Sequence, residues 1–185
     1  SREALVASLP DLPGSRRARY AEIGLKSSDI EFITETNERG VFFDAVLSEI
    51  KNDKELAALA SNYFVSDLGG VPGQIQPYAY ASLLRMFVAD ALSSRGVKDV
   101  LAIMVAKGGD PSAIAKEKGL EQVSDTGALR DAVKAVITRE GKVAAEYRAG
   151  KVAALQYLVG QGMKETKGAG NPGVIRELFI EELAK

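Results

Sequence analysis

Apolar residues recur along this chain at helical spacing. In "TGALRDAVKAVITRE" (residues 126–140), Leu129, Val133, Val136 and Ile137 share one face of a helix with 3.6 residues per turn. Helix punctuation brackets most such blocks. Asn52-Asp53 precedes "KELAALASNYFVSDL" and Gly69-Gly70 follows it, a cap and a stop. In "QPYAYASLLRMFVADALSSRG", Pro77 stands where a first turn tolerates it and Gly96 closes the block, which predicts one helix between them. Asp110-Pro111 opens a short helix that stops at Gly119. Ser124 or Asp125 caps the 126–140 block, which stops at Gly141. Asn171-Pro172 starts the last block, "GVIRELFIEELAK". Only "GGVPGQIQP" (residues 69–77) reads as a real loop. No run alternates with period two over strand length, and no solenoid repeat is present. The pattern predicts an all-α protein of about ten helices joined by short turns.

Composition narrows the chemistry. With 185 residues, 46% hydrophobic, the chain can build one large core or two small ones. It has neither cysteine nor histidine. That removes disulfide scaffolds, thiol nucleophiles, Ser-His-Asp triads and nearly all zinc sites. No apolar run approaches the ~20 residues of a membrane span. The opening "SREALVASLP" lacks the apolar core of a secretory leader. The expectation is a cytoplasmic protein.

Charge is balanced overall, 24 basic against 25 acidic, but unevenly spread. Residues 128–168 carry eight basic and four acidic side chains, while the rest of the chain is net acidic. A positive segment can attract phosphate locally although the whole chain does not. Within it, "GKVAALQYLVGQGMKETKG" (residues 150–168) tests as a phosphate loop and fails. It has Gly150-Lys151, but lacks the upstream glycine, the following hydroxyl and the preceding strand that the mechanism needs. It reads as a helix from Lys151 to Thr166, with Val152, Leu155, Val159 and Met163 on its core face. Ala153, Ala154, Gly160 and Gly162 are small enough to admit neighbouring helices. Carboxylates such as Glu35 and Glu38 read as solvated surface, and no EF-hand spacing appears. The residues contain no catalytic constellation and no metal ligand set.

Two further stretches admit two readings each. "SLPDLPGSRRARY" (residues 8–20) sets two prolines before Arg16, Arg17, Arg19 and Tyr20. The prolines impose an extended approach. The arginines form either a patch for nucleic acid or another partner, or the solvated basic face of a helix reached through a linker; the second needs less. "GNPGVIRELF" is either a helix capped by Asn171 or a phosphate-holding helix start, and capping needs nothing extra.

Taken together, these stretches resemble one family. "EYRAGKVAALQYLVGQGMKETKGAGNP" is similar to the tail of the GatB/YqeY family, the B subunits of tRNA-dependent amidotransferases. The family pattern of Tyr-x-x-Gly-Lys, Leu-Val-Gly-Gln-x-Met-Lys and Lys-Gly-x-x-Asn-Pro appears here as Tyr147, Gly150 and Lys151, then Leu158, Val159, Gly160, Gln161, Met163 and Lys164, then Lys167, Gly168, Asn171 and Pro172. "LPDLPGSRRARY", "AALASNYFVSDLGG" (with Tyr63 in place of the family Trp) and "GGDPSAIAKEKGLEQVSD" resemble the family in the same order. Residues 68–77 follow it less closely. Gly162 stands where a larger residue is usual, so either a neighbouring helix packs very close there or the helix bends.

The resemblance implies a helical domain over residues 1–120 and a YqeY-like tail over 121–185, without the catalytic cradle of the longer family proteins. It implies a role in holding misacylated Glu-tRNA(Gln) or Asp-tRNA(Asn) while a glutamine-hydrolysing, ATP- and Mg²⁺-dependent ligase, built with the A and C subunits, amidates it elsewhere. No cofactor is expected on this fragment, and no membrane. Arg139, Lys142, Arg148, Lys151, Lys164 and Lys167 are the candidate phosphate contacts. The alternative is a helical interaction module that docks on the catalytic domain or partner subunits and touches RNA little.

Overall fold

The computed structural model describes residues 13–123 and 126–185. Among them the chain forms eleven helices and no strand, so the fold is all-α. The chain divides into two compact units. One ends at Arg85 and resumes over Lys98–Pro111; the other comprises Met86–Val97 and Ser112–Lys185.

The first unit opens with α1 (Pro13–Ile23), α2 (Ser27–Thr34), α3 (Asn37–Glu49) and α4 (Lys54–Ser66). Their ends follow local chemistry. Thr36 caps α3 by accepting from the Arg39 N–H, and Asp53 caps α4 by accepting from Leu56 N at 2.9 Å. The core is aromatic: Tyr20 meets Phe43 edge-on at 5.4 Å, Phe42 stacks on Phe64, and the buried Tyr80 hydroxyl donates to the Ala60 carbonyl at 2.7 Å. Residues 69–76 form the loop read from the sequence. Gly73 (φ +57) is required there, because a Cβ would lie 2.5 Å from the Val105 carbonyl oxygen.

The basic stretch at α1 exposes Arg17 and Arg19 but not Arg16. Arg16 is buried, and its Nε donates to Asp44 Oδ2 at 2.8 Å. Arg19 and the Tyr20 hydroxyl donate to the other oxygen of the same carboxylate, at 3.2 and 2.8 Å. Burial first, then the bond to Asp44, pushes the Tyr20 phenol well above its ordinary range. Arg17 binds Thr34 and Glu31. The extended approach expected over residues 8–12 lies outside the described residues.

The block from Pro77 to Gly96 is two helices, not one. α5 spans Pro77–Val88 and α6 spans Ser94–Lys107. Asp90 takes a left-handed conformation (φ 58), and the Ala91 N–H turns back to the Met86 carbonyl at 2.9 Å. An aspartate thus makes the stop usually made by glycine. Gly96 lies inside the first turn of α6, where its N–H donates to the Ser93 hydroxyl.

The second unit continues through α7 (Pro111–Glu117), α8 (Thr126–Arg139), α9 (Gly141–Arg148), α10 (Ala153–Glu165) and α11 (Pro172–Leu183). Gly141 opens α9 instead of ending a helix; the break falls at Glu140 (φ −101, ψ 39). The Ser124 or Asp125 cap lies outside the described residues. Leu129, Val133, Val136, Ala144, Leu155, Leu158, Ile175, Leu178, Phe179 and Leu183 form one core. An isolated parallel bridge joins Val123 to Gly170.

Helix α10 presents a face rotated from the predicted one. Ala154, Leu155, Leu158 and Gly162 are buried, Val159 and Met163 only half so, and Val152 is 72% exposed. Val152 is the N-cap residue, ahead of the first helical residue, and lies beyond the packed part of the helix. Gly162 is the close approach: a Cβ there would meet Ile175 and Phe179 at 2.9 Å. Gly160 has nothing within 4 Å and admits no neighbour.

Candidate nucleic-acid interface

All six candidate cations lie in the second unit, and the fold sorts them into two groups. Arg139, at the end of α8, donates from Nη1 to Glu165 Oε2 at 2.9 Å and lies 3.9 Å from Glu140. The bond to Glu165 raises its pKa further. Arg148 donates from Nε to the Leu183 carbonyl at 3.0 Å, meeting an acceptor that the end of α11 leaves open. Lys151 Nζ pairs with Glu146 Oε2 at 2.9 Å and holds that carboxyl below its ordinary range. These three hold helices and turns together.

Lys142, Lys164 and Lys167 are exposed and make no hydrogen bond or ion pair among the described residues. Lys142 lies in the first turn of α9 and Lys164 in the last turn of α10. Lys167 follows in the left-handed turn (φ 54) that ends α10. The Arg139–Glu165 bond brings the end of α8 to the end of α10, beside Lys164. An ammonium on a flexible stem with no intramolecular partner can meet a phosphate without first breaking a protein contact.

One basic residue of the segment has a structural role that sequence reasoning missed. Arg130 reaches Glu181 at 2.9 Å and also Glu182, tying α8 to α11. No local signal marks it, because its partners lie more than 50 positions away.

The glycine-lysine step is a junction between helices. Gly150 (φ +104) ends α9, and its N–H returns to the Tyr147 carbonyl at 2.9 Å. At α11, Asn171 Oδ1 accepts from Gly173 N at 2.9 Å and Val174 N at 3.3 Å, so the helix start is capped from within the chain. Among the described residues, no three acidic side chains come together to hold a metal ion. No described helix is long and apolar enough to cross a membrane.

Residues 41–183 match the GatB domain family. The chain belongs to that family. Over its whole length it is 38% identical to the B subunit of the aspartyl/glutamyl-tRNA(Asn/Gln) amidotransferase of Geobacillus thermodenitrificans (strain NG80-2), and 36% identical to that of Bacillus cereus (strain G9842). In each case it spans 40% of the relative's length.

The structure explains what the GatB tail pattern does locally in this chain. Leu158 is fully buried, and Tyr147, Val159 and Met163 pack around the same core. Gly150 makes the turn, and Asn171 makes the cap. Much of the recognisable string therefore builds the fold. Lys164 and Lys167 project from it.

Proposed function

We propose that this chain is the tRNA-binding C-terminal region of the B subunit of a glutamine-dependent Asp/Glu-tRNA amidotransferase, with a helical domain over residues 1–120 and a YqeY-like tail over 121–185. It positions misacylated tRNA while amidation, with ATP, Mg²⁺ and glutamine-derived ammonia, proceeds in the rest of a cytoplasmic complex that includes the A and C subunits. The observation that carries the reading is the set of exposed lysines outside any hydrogen bond or ion pair, Lys142, Lys164 and Lys167, on the unit whose sequence holds the positive segment. Family membership and the names of the relatives support it. Contacts of this kind recognise the shape of folded RNA more than its sequence, because A-form RNA hides its major-groove edges.

Titrating labelled tRNA at about 50 and about 200 mM salt tests this. Binding is expected at low salt and should fall steeply at the higher value. Lys164→Glu with Lys167→Glu should weaken it and lessen the salt slope by up to about 2. Salt-insensitive binding, or none at low salt, would overturn the reading.

A second reading draws on the first unit, which exposes Val41, Val71 and Tyr78. Such side chains suit a module that docks on the catalytic domain or on partner subunits.

A further inference from the structure

The second unit carries a surface cleft beside one of its ion pairs. It opens beside α9 and α10, holds about 270 Å³, and is lined by Val143, Glu146, Lys151, Ala153, Ala154 and Tyr157. Its apolar side comes from Val143 and the two alanines. Tyr157 contributes a ring that is 48% exposed, and neighbouring Val152 is exposed as well. Its polar side is the ion pair, with Lys151 Nζ 2.9 Å from Glu146 Oε2. The volume lies at the small end for ligand pockets and suits a single ring system.

We propose that this cleft is a subsite for an unpaired guanine of RNA, stacked on Tyr157, with its Watson–Crick edge read by Glu146 and Lys151. This rests on the RNA-binding reading above and names a ligand for part of that surface. The chemistry of the pair selects the base. An ionised carboxylate only accepts hydrogen bonds, and an ammonium only donates. Guanine alone offers two adjacent N–H donors, at N1 and N2, next to a carbonyl acceptor, O6. The carboxylate takes both N–H groups while the ammonium beside it donates to O6. Adenine would turn the N1 lone pair toward the carboxylate. Cytosine offers one amino group beside an acceptor, and uracil one N–H between two carbonyls.

The existing Glu146–Lys151 bond keeps the two groups side by side. Lys151 first, and to a lesser degree Lys142, hold the Glu146 carboxyl below its ordinary range. Stacking on an exposed aromatic ring provides affinity for any base, and the polar pair provides the choice. Lys151, a candidate phosphate contact, becomes a base-edge contact.

NMR titration of the whole 185-residue chain with 5′-GMP and 5′-AMP tests this, since both carry the same phosphate. GMP should shift the resonances of Ala153, Ala154 and Tyr157, and bind about fivefold or more tighter than AMP. Glu146→Gln should abolish that preference. Tyr157→Ala should weaken both nucleotides about fivefold or more, and Tyr157→Phe should retain both. The subsite is overturned if neither nucleotide shifts these residues, if AMP matches GMP, or if the cleft responds only to an added protein. Salt-sensitive tRNA binding without a GMP response discards the subsite and leaves the tRNA reading. A GMP response in a chain that binds no tRNA supports the subsite and discards that reading.

Discussion

Two stretches of this chain are basic in sequence, and folding treats them differently. At residues 16–19 every arginine is turned inward or sideways onto the chain's own groups, with Asp44 taking Arg16, Arg19 and the Tyr20 hydroxyl. Between residues 139 and 167, half of the candidate cations are bound and half are not. The division follows side-chain type closely. The arginines fix helices by forked or directional bonds, while the free cations are all lysines. Charge counted along a sequence is therefore not charge available to a ligand. The intramolecular partners must be subtracted first.

The sharpest way to break this comparison is at Asp44. Its replacement by Ala leaves the Arg16 guanidinium, 7% exposed, without its carboxylate. Removing one member of a buried charge pair is costly because the other remains desolvated. Asp44→Ala should lower stability by about 3 kcal/mol, read from the urea midpoint. A loss under about 0.5 kcal/mol would show that the α1 arginines are as dispensable to folding as surface charge.

The next largest effect separates two glycines. Gly162→Val should cost about 2 kcal/mol, because even the first added carbon meets Ile175 and Phe179. Gly160→Ala should raise stability by up to about 1 kcal/mol, because its surroundings are open and alanine favours the helix. Equal responses from the two thermal unfolding curves would refute the packing described for α10 and α11.

The two glycines also show what could be read from sequence and what could not. Both stand in the same recognisable string, and nothing local distinguishes them. Asn171 was legible because a cap and its donors lie within three residues. The break after Val88 was not, since aspartate rarely makes a left-handed stop. Arg16 and Arg130 were hidden for a different reason, their carboxylates lying 28 and about 50 positions away. Helix content followed from periodicity, but the buried face of α10 did not, because Val152 is exposed at the N-cap and the small Ala154 and Gly162 are buried in its place. The candidate lysines could be named from sequence. That Arg139, Arg148 and Lys151 already have partners depends on the tertiary arrangement.

A smaller effect concerns pH and the second unit's own internal pairing. Lys185 first, then Arg130, holds the buried Glu182 carboxyl below its ordinary value of 4.5. A carboxyl lowered in the folded state contributes stability that is fully present above about 4.5 and is lost as pH falls through the folded value. Glu182→Gln should therefore destabilise the protein at pH 7, and its deficit relative to the parent should shrink below about pH 4.5. Urea midpoints at neutral and acidic pH measure this. A deficit that stays constant across the range would mean that Glu182 acts through shape and not through charge.

The smallest stability change sharpens the comparison most. Arg17 is exposed, with Glu31 and the Thr34 hydroxyl as its partners, so Arg17→Glu should cost about 1 kcal/mol. Lys164→Glu with Lys167→Glu removes no intramolecular partner and should change stability by no more than about 0.5 kcal/mol. In tRNA titration the two variants should part company. Reversal at Arg17 should leave affinity and salt slope near those of the parent, whereas reversal at Lys164 and Lys167 should weaken binding and flatten its salt dependence. If both lower affinity equally, the long-range field of the chain dominates and individual lysines do not matter. If the lysine variant instead loses helicity by circular dichroism, Lys164 and Lys167 belong with Arg139 among the residues that hold the fold, and the division between bound arginines and free lysines fails.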